Sequence, residues 1–252
     1  MARERADTET ARDRADRVLT ARGFFDSRAK AQEAIAAGLV QVDGKTIAKP
    51  SEQIDANAAI VAGAPYPWAS RGGVKLAAAL DHFGLDPAGK TCVDLGASTG
   101  GFTDVLLARG VARVLAVDVG HGQLHPRIAA DPRVVVFEGQ DARTVTPDLL
   151  GGPVDMAVMD LSFISLRLVL PAVPPLLKAG GRLVALIKPQ FEVGRALVDK
   201  GLVRDAAARL RACDDVTTLL AQLGFAVHGV VPSPIAGGDG NQEFLVAATR
   251  AA

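Results

Sequence analysis

Residues 93–102 read Val-Asp-Leu-Gly-Ala-Ser-Thr-Gly-Gly-Phe, and this stretch predicts the fold of the chain around it. Thr91–Asp94 is apolar enough for a short buried strand, residues 96–101 form a glycine-rich turn, and Phe102–Arg109 has helical spacing up to a stop at Gly110. A strand, a glycine turn and a helix in this order form the nucleotide-binding corner of a doubly wound sheet. A plain connection between a strand and a helix is the alternative, since short glycine motifs are weakly specific.

The glycine spacing distinguishes this turn from two familiar phosphate-binding loops. Its pattern is G-x-x-x-G-G, whereas dinucleotide folds carry G-x-G-x-x-G and P-loops carry G-x-x-x-x-G-K followed by Ser or Thr. Glycines leave room for a ligand where a Cβ would block it, and they allow positive φ angles. The turn therefore favours a ligand without a pyrophosphate, and S-adenosylmethionine fits that description.

From Thr91 onward, predicted strands alternate with predicted helices. Alternation of this kind implies a mostly parallel sheet that is covered on both faces. The final strand follows its neighbour through a loop alone, so it should run antiparallel. We therefore predict a Rossmann-like α/β fold with a seven-stranded, mostly parallel sheet, with strands at 91–94, 113–118, 133–137, 154–160, 181–187, 225–231 and 242–249, and helices at 101–109, 123–130, 166–177 and 205–222.

Two acids extend the predicted cofactor site. Asp118 ends the second predicted strand, 22 positions after Gly96, where an acid reaches ribose hydroxyls, and Asp141 follows the third strand, where it can face an adenine amino group. His121 and His125 are four residues apart, but no carboxylate or cysteine completes a metal site, and we predict no metal. The predicted cofactor-binding residues are Asp94, Gly96, Ala97, Ser98, Gly100, Gly101, Phe102, Asp118 and Asp141.

Three charged residues are predicted to meet where the central strands end. Asp160 ends the fourth predicted strand, Lys188 follows the fifth, and Glu243 lies at the start of the last. The carboxyl ends of neighbouring parallel strands face one crevice, and an antiparallel strand starts at that same edge. A lysine after an apolar strand is costly to bury unless it is paired, and the two carboxylates supply that pairing. An ordinary structural ion pair is the alternative interpretation.

The N-terminal stretch predicts a small module. Met1–Arg14 is charged and predicted to be a frayed tail, and residues 15–22 and 27–37 predict two helices. A strand at 39–42, the hairpin signal Asp43-Gly44 and a returning strand at 45–49 follow. Residues 15–63 resemble the S4 RNA-binding domain, which implies contacts with structured RNA. The predicted RNA-binding residues are Arg17, Arg28, Lys30, Lys45 and, after the linker, Arg71; a solvated charged face is the alternative.

Composition bounds the remaining possibilities. We predict an S4-like module over residues 1–63, a linker over residues 64–71 and the α/β domain over residues 72–252. The formal net charge is zero, so RNA contacts must come from local patches. Two cysteines, an N-terminus without an apolar segment and the lack of an 18-residue apolar run predict a cytoplasmic protein with no membrane span. The oligomeric state stays open.

The second domain resembles the FtsJ-like ribose 2′-O-methyltransferases, and its union with an S4 module resembles the TlyA family. The motifs are residues 70–76, 94–102, 160–166, 188–192 and 240–244, and the resemblance covers nearly all of residues 15–249. It implies S-adenosylmethionine as the cofactor, ribosomal RNA and ribosomal subunits as partners, and methylation of cytidine 2′-hydroxyls. It also implies a catalytic quartet composed of Lys75, Asp160, Lys188 and Glu243.

The chemistry of a ribose hydroxyl suits these residue types. The hydroxyl must lose its proton as it attacks the methyl carbon, and a lysine can accept that proton or hold the oxyanion as a cation. We expect Lys188 in that role, Asp160 orienting it, and Lys75 and Glu243 fixing the ribose.

Other function classes fit less well. Enzymes that methylate amino groups carry an Asn/Asp-Pro-Pro-aromatic turn after the fourth strand, whereas residues 160–163 read Asp-Leu-Ser-Phe. Methylation of carbon 5 in pyrimidines needs a pocket cysteine, and Cys92 and Cys213 are predicted away from the crevice. The family also carries the label hemolysin, so a membrane-active protein is one alternative, and a non-catalytic RNA-binding assembly factor is another.

Overall fold

The structure, a computed structural model, describes residues 11–251, which divide into two compact units that meet in sequence at Pro67 and Trp68. The predicted linker, residues 64–71, spans this point. Within the second unit, Trp68 and Ala69 pack against a hydrophobic cluster, and the Ala69 N–H donates to Asp104 at 2.8 Å. The last four linker residues thus belong with the second unit.

The first unit packs two helices against short strands around Leu19, Ile35 and Val40. The Ser27 hydroxyl accepts from the Lys30 N–H and caps the second helix, as its position predicts. Asp43 and Gly44 both have positive φ, which is the geometry of the predicted hairpin turn. The elements are β1 (Arg12–Arg14), α1 (Ala15–Ala21), α2 (Arg28–Ala36), β2 (Val40–Val42), β3 (Lys45–Thr46), β4 (Gln53–Asp55) and β5 (Ile60–Ala62).

One N-terminal prediction is wrong. Residues 1–10 of the expected tail lie outside the described residues, but Arg12–Arg14 is not frayed: it forms strand β1, which pairs antiparallel with β4. Strand β5, which we did not predict, pairs antiparallel with β2. Each of these strands has three residues, too few for an alternating pattern to stand out. Their pairing partners lie far along the chain, so local sequence does not reveal them.

The second unit contains the predicted α/β sheet. Among the described residues the sheet has seven strands in the order β11-β12-β10-β9-β6-β7-β8, and β12 is antiparallel to both neighbours, as predicted. Its elements are α3 (Gly72–Phe83), β6 (Thr91–Leu95), α4 (Gly101–Ala108), β7 (Arg113–Val117), α5 (Pro126–Ala129), β8 (Val134–Phe137), α6 (Pro147–Leu150), β9 (Val154–Met159), α7 (Leu166–Val169), β10 (Leu177–Ile187), α8 (Pro189–Glu192), α9 (Ala206–Gln222), β11 (Phe225–Pro232) and β12 (Phe244–Arg250).

Both faces of this sheet are covered. Along β6, Val93 and Leu95 enter a hydrophobic cluster that includes residues of α7 and α9, while the preceding Cys92 enters another that includes residues of α3 and α4. Alternate side chains of β6 therefore face different covered sides of the sheet, which explains why Cys92–Leu95 are all buried. Within residues 11–251, no helix has both the length and the apolar character needed to cross a bilayer.

Prolines shorten two predicted helices. The helix expected over residues 123–130 is limited to α5, because Pro126 occupies its first turn and His125 caps it. The helix expected over 166–177 ends at Val169 and continues as 3₁₀ turns at Leu170–Ala172 and Pro174–Leu176, each with a proline in its first turn. The next strand begins at Leu177 instead of 181, with an irregularity in its pairing before Arg182.

Candidate active site

Sheet register brings the predicted charged residues to one edge. Met159 of β9 pairs with Leu95 of β6 and with Ala185 of β10, and Ile187 of β10 pairs with Phe244 of β12. Asp160, Lys188 and Glu243 are each the residue next to these paired positions at the strand ends. The backbone of the sheet therefore gathers them beside the glycine turn that follows β6.

Lys188 and Asp160 form the first ion pair of this edge. The Lys188 Nζ lies 2.7 Å from Asp160 Oδ1 and donates to Ser162 Oγ, also at 2.7 Å. The lysine side chain is largely buried, and that of Asp160 is one-fifth exposed. The carboxylate and the hydroxyl together hold the amine in one position, which a lysine on a flexible stem otherwise lacks.

Lys75 and Glu243 form the second pair. Lys75 lies in the first turns of α3, and its Nζ donates to Glu243 Oε2 at 2.5 Å, with both side chains buried. We expected one lysine between two carboxylates; the structure instead pairs each lysine with a different carboxylate. Burial of such a pair is costly unless the charges are matched, and here they are matched one to one.

The four residues line a single cavity of about 290 Å³. The glycine turn contributes another part of its wall, and the segments 70–72 and 188–191 contribute further parts. Of the predicted cofactor residues, this cavity is lined by Gly96, Ala97, Ser98, Gly101 and Phe102. Arg71, predicted to bind RNA, also lines this cavity, and its Nη2 donates to the Ala236 carbonyl oxygen at 2.6 Å.

Gly96 is required where it stands. Its φ is +87°, and a Cβ built on it would come 2.8 Å from the Asp160 carbonyl oxygen. Gly100, with φ of +91°, has a different role: a Cβ there would collide with Ile128 and Leu124, so this glycine permits packing behind the turn. It does not line either of the two large cavities formed by the described residues.

A second cavity of about 410 Å³ adjoins the first, sharing Gly96, Ser98 and Asp160 with it. Asp118 lies in its wall, and its carboxylate accepts from the Ser98 N–H at 2.8 Å and the Gly120 N–H at 2.7 Å. Asp141 also lines this cavity. Apolar side chains complete the wall, among them Leu161, Ile164 and Val169. An acid at one side and an apolar wall at the other suit a nucleoside.

Asp141 is already engaged by a neighbour. Its carboxylate lies 2.5 Å from Arg143 Nη2, and the hydrogen bonds from the Arg143 side chain and N–H lower its pKa to about 2. Arg143 therefore keeps Asp141 charged, and the predicted contact with an adenine amino group would have to share the carboxylate with this guanidinium.

Asp94 lies beneath the turn. It is fully buried, accepts from the Thr103 hydroxyl at 2.7 Å, and lines neither of the two large cavities formed by residues 11–251. Burial raises its pKa to about 7, opposed by the Thr103 hydrogen bond. Asp94 thus supports helix α4 through its hydrogen bond with Thr103.

Several residues that line the first cavity were not predicted as site residues, among them Ser162, Phe163, Gln190 and Phe191. Ser162 accepts from Lys188, and Phe163 is 92% exposed with φ of +64°, a backbone angle that L side chains rarely adopt. Phe191 lies beside Phe163, with ring centroids 5.4 Å apart, and Gln190 precedes Phe191. All four follow the ends of β9 and β10, so the rule that located Asp160 and Lys188 would also have located them.

The predicted RNA-binding residues of the first unit differ in their surroundings. Lys45 is exposed at the β2–β3 hairpin, and Arg17 is more than half exposed and 3.6 Å from Asp13. Arg28 donates to the buried Asp16 at 2.8 Å, so it supports the fold of the module while half exposed. Lys30 is buried, with its Nζ 5.4 Å from the centre of the Tyr66 ring, which removes its charge from the surface.

A glycine turn after the first strand of the sheet, an antiparallel last strand and two joined cavities at the carboxyl edge define a Rossmann-like methyltransferase. Comparison of sequences identifies the family more closely. The FtsJ-like methyltransferase model matches residues 68–250 and the S4 domain model matches residues 13–60, and the chain belongs to the family that joins these two domains.

Relatives that match over most of their length are named as an rRNA methyltransferase or as hemolysins. The chain is 45% identical to the Mycobacterium tuberculosis 16S/23S rRNA (cytidine-2′-O)-methyltransferase TlyA, over 93% of this chain and 89% of that protein. It is 37% identical to Hemolysin A of Brachyspira hyodysenteriae, over 92% and 98% of the two chains. A solved structure of a Streptococcus thermophilus protein described as a hemolysin superposes with a TM-score of 0.76 at 40% identity, covering 96% and 90%.

Proposed function

We propose that this protein transfers a methyl group from S-adenosylmethionine to the 2′-hydroxyl of cytidine in ribosomal RNA. The observation that carries the proposal is the quartet: two lysine–carboxylate pairs line one cavity directly beside the glycine turn. The name of the Mycobacterium tuberculosis relative supports the choice of nucleoside and RNA, and an S4 domain supports an RNA substrate. Such a substrate also fits the cytoplasmic location predicted from the sequence.

The two cavities fit S-adenosylmethionine. The second cavity, with Asp118 and Asp141, would hold the adenosine, and Gly96–Gly101 would lie along the remainder of the cofactor. Gly96 lets the turn approach the Asp160 carbonyl oxygen, from which a Cβ would lie only 2.8 Å away. When bound, the cofactor supplies a methyl group already activated by a sulfonium, so the protein's task is alignment of the acceptor and handling of its proton.

We propose Lys188 as the group that accepts this proton. A neutral amine has two N–H donors and one lone pair; Ser162 Oγ accepts from Lys188 Nζ, and Asp160 Oδ1 lies 2.7 Å from the same nitrogen. The lone pair is then left for the ribose hydroxyl, and Lys188 lines the cavity in which that hydroxyl would lie. Asp160 acts on the reaction by orienting the amine and by stabilising the charge that it gains.

The Lys75–Glu243 pair has a supporting role in this proposal. Both groups are buried beside the same cavity, and each neutralises the other, so neither imposes a net charge on Lys188. A Cβ on Gly237 would come 2.6 Å from Glu243 Oε1, which shows how closely the loop before β12 approaches the pair. The pair is thus placed to fix the ribose through hydrogen bonds.

Mapping 2′-O-methyl groups in ribosomal RNA tests the reaction and the substrate together. RNA from cells that lack the gene should lose methylation at one or more cytidines, and a plasmid copy of the protein should restore it. A Lys188→Ala copy should not. Restoration by that variant, or methylation that is unchanged without the gene, would contradict the proposal. S-adenosylmethionine binding without methyl transfer to any RNA would favour the non-catalytic assembly factor.

Calorimetry with the purified protein tests the cofactor site. Asp118→Ala should weaken binding of S-adenosylmethionine while the fold is kept, because it removes the acid of the adenosine cavity. Asp86→Ala is the matched control, since Asp86 also accepts from the N–H two residues later but is exposed and lines neither large cavity. Equal affinity in both variants would place the cofactor elsewhere.

A further inference from the structure

The Gln190 side chain carries an unsatisfied acceptor at the catalytic cavity. Its Oε1 is buried and has no hydrogen-bond partner among the described residues, although the residue lines the cavity that holds the quartet. A buried carbonyl oxygen without a donor costs free energy of folding. The cavity that Gln190 lines is the place from which a ligand can supply the missing donor.

The charges of the same cavity point to a ligand that donates. Lys75 and Lys188 are each paired with a carboxylate, and Arg71 donates to a backbone carbonyl oxygen. Asp239, by contrast, is exposed in the cavity wall and has no hydrogen bond or ion pair within the described part of the chain. Gln190 Oε1 and the Asp239 carboxylate thus offer acceptors in this cavity wall, and a ligand group that carries N–H would satisfy them.

Aromatic side chains beside Gln190 favour a nucleobase as the ligand that carries this N–H group. Phe191 is the next residue, and its ring packs beside that of Phe163, which is 92% exposed in the same cavity wall. Unpaired bases stack on exposed aromatic rings, and proteins read their edges through hydrogen bonds. An aliphatic ammonium, such as that of the cofactor's methionine, needs an acceptor but no stacking surface.

We propose that the Gln190 amide oxygen accepts a hydrogen bond from the 4-amino group of the target cytidine and thereby selects cytidine over uridine. The inference rests on the proposed function and adds a specificity-determining residue to it. Uridine presents a carbonyl oxygen where cytidine presents an amine, so it would place two acceptors against each other. Asp239, as a second acceptor of the same cavity, would disfavour uridine further.

Methylation of two RNA substrates that differ only at the target nucleotide tests this assignment. The mapped target nucleotide is made either cytidine or uridine in otherwise identical RNA, and kcat/KM is measured for each with the full-length protein. The wild type should prefer cytidine by roughly ten- to hundredfold. Gln190→Met, which keeps the length but removes the amide, should lower that preference toward unity, mainly by slowing cytidine. Gln190→Glu, which offers acceptor oxygens in either orientation, should keep the preference.

Three measurements separate the possible outcomes. Gln222 is an exposed glutamine at the end of α9, and Gln222→Met is the matched control. Its preference for cytidine over uridine should equal that of the wild type. A Gln190→Met protein with an unchanged cytidine-to-uridine ratio would overturn the inference, even if its rate fell. Weaker S-adenosylmethionine binding by that variant, measured without RNA, would instead assign the amide to the cofactor's ammonium. Wild-type protein that methylates neither RNA would refute the proposed function itself.

Discussion

Each unit of the molecule contains a buried aspartate, and the two differ in their hydrogen-bond donors. Asp16 in the first unit accepts from Arg14, Arg28 and Gln32. Asp94 in the second unit accepts from the Thr103 hydroxyl and has no basic hydrogen-bond donor among the described residues. The pKa of Asp16 lies well below its usual range, chiefly because Arg14 donates to it. The pKa of Asp94 is raised to about 7 by burial. The pKa values of these two inaccessible carboxylates thus shift in opposite directions, because hydrogen bonds from donors dominate at Asp16 and desolvation dominates at Asp94.

The two carboxylates of the quartet, Asp160 and Glu243, have fewer basic partners than Asp16 and more than Asp94. Each of them has one lysine, and both pairs line a cavity, which the surroundings of Asp16 and Asp94 do not. A buried carboxylate with several donors and no cavity supports the fold. A matched pair beside open space leaves room for a third group, and this is the arrangement that a proton transfer requires.

The largest expected effect is at Lys188. Lys188→Ala should keep the fold and the binding of S-adenosylmethionine but reduce single-turnover methylation of RNA by about 10²–10⁴-fold, because a general base typically contributes that much. Lys188→Arg keeps a positive charge but cannot accept a proton at neutral pH. We expect it to be nearly as inactive as the alanine variant.

The arginine variant decides between two roles. Substantial activity in Lys188→Arg would mean that the residue holds charge and does not take the proton. Rates near wild type in Lys188→Ala would remove the residue from the mechanism. Lys178→Ala is the control, because Lys178 also pairs with an aspartate, Asp155, but lines neither large cavity.

Asp94 should make the stability of the second unit depend on pH. Its folded pKa, about 7, exceeds the ordinary value of 3.8, so the folded state binds the extra proton between these values and the free energy of unfolding falls as pH rises. Asp94→Asn removes this dependence while keeping an acceptor for Thr103. The stability gained by the variant should grow by about 1.4 kcal/mol per pH unit from pH 4 toward 7 and level off above 7.

Fluorescence of Trp68 can follow that transition. It is the chain's single tryptophan and packs against a core cluster of the second unit. Urea unfolding without cofactor at several pH values gives the difference between Asp94→Asn and wild type. A difference that does not change with pH would show that Asp94 is charged in the folded state at neutral pH.

Asp16 should respond in the opposite direction. Its contribution is present above the unfolded pKa, near 3.8, and is lost as pH falls through and below that value. Asp16→Asn should destabilise the first unit at neutral pH by about 1–3 kcal/mol, because its arginine donors lose a charged acceptor. Hydrogen exchange of amides in α1 and α2 measures this, with Asp13→Asn as the control, because the Asp13 side chain is half exposed. Equal protection in the two variants would contradict the role assigned to Asp16.

Much of the second unit could be predicted from sequence because its signals are local. The apolar run of β6, the glycine turn and the helix after it occupy consecutive residues, and the rule that parallel strands end at one edge located Asp160 and Lys188. The failures have physical causes as well. Pro171 and Pro174 break a helix that apolar spacing alone predicts, and three-residue strands such as β1 depend on partners distant in sequence.

The sequence does not predict which lysine pairs with which carboxylate in the site. Strand order places Lys188 and Glu243 at one edge, but which carboxylate each lysine binds depends on side-chain directions and on how α3 approaches β12. For the same reason Lys30, predicted on an exposed basic face, is buried near Tyr66, and Arg28 is tied to Asp16. Residue type and position predict where charged residues occur along the chain. They do not predict which of these residues are buried or paired with another charge in the folded protein.

The smallest expected effect tests the RNA-binding surface of the first unit, and Lys45 is the suitable residue. It is exposed at the hairpin and has no ion pair within residues 11–251, whereas a change at Arg28 would also disturb Asp16. If Lys45 contacts one phosphate, Lys45→Ala should weaken RNA binding a few-fold and reduce the slope of log K against log salt by about one. Lys45→Arg should keep the slope, since the charge is kept. An unchanged slope in Lys45→Ala would place the hairpin outside the RNA interface, and the difference between the two variants separates loss of charge from loss of shape.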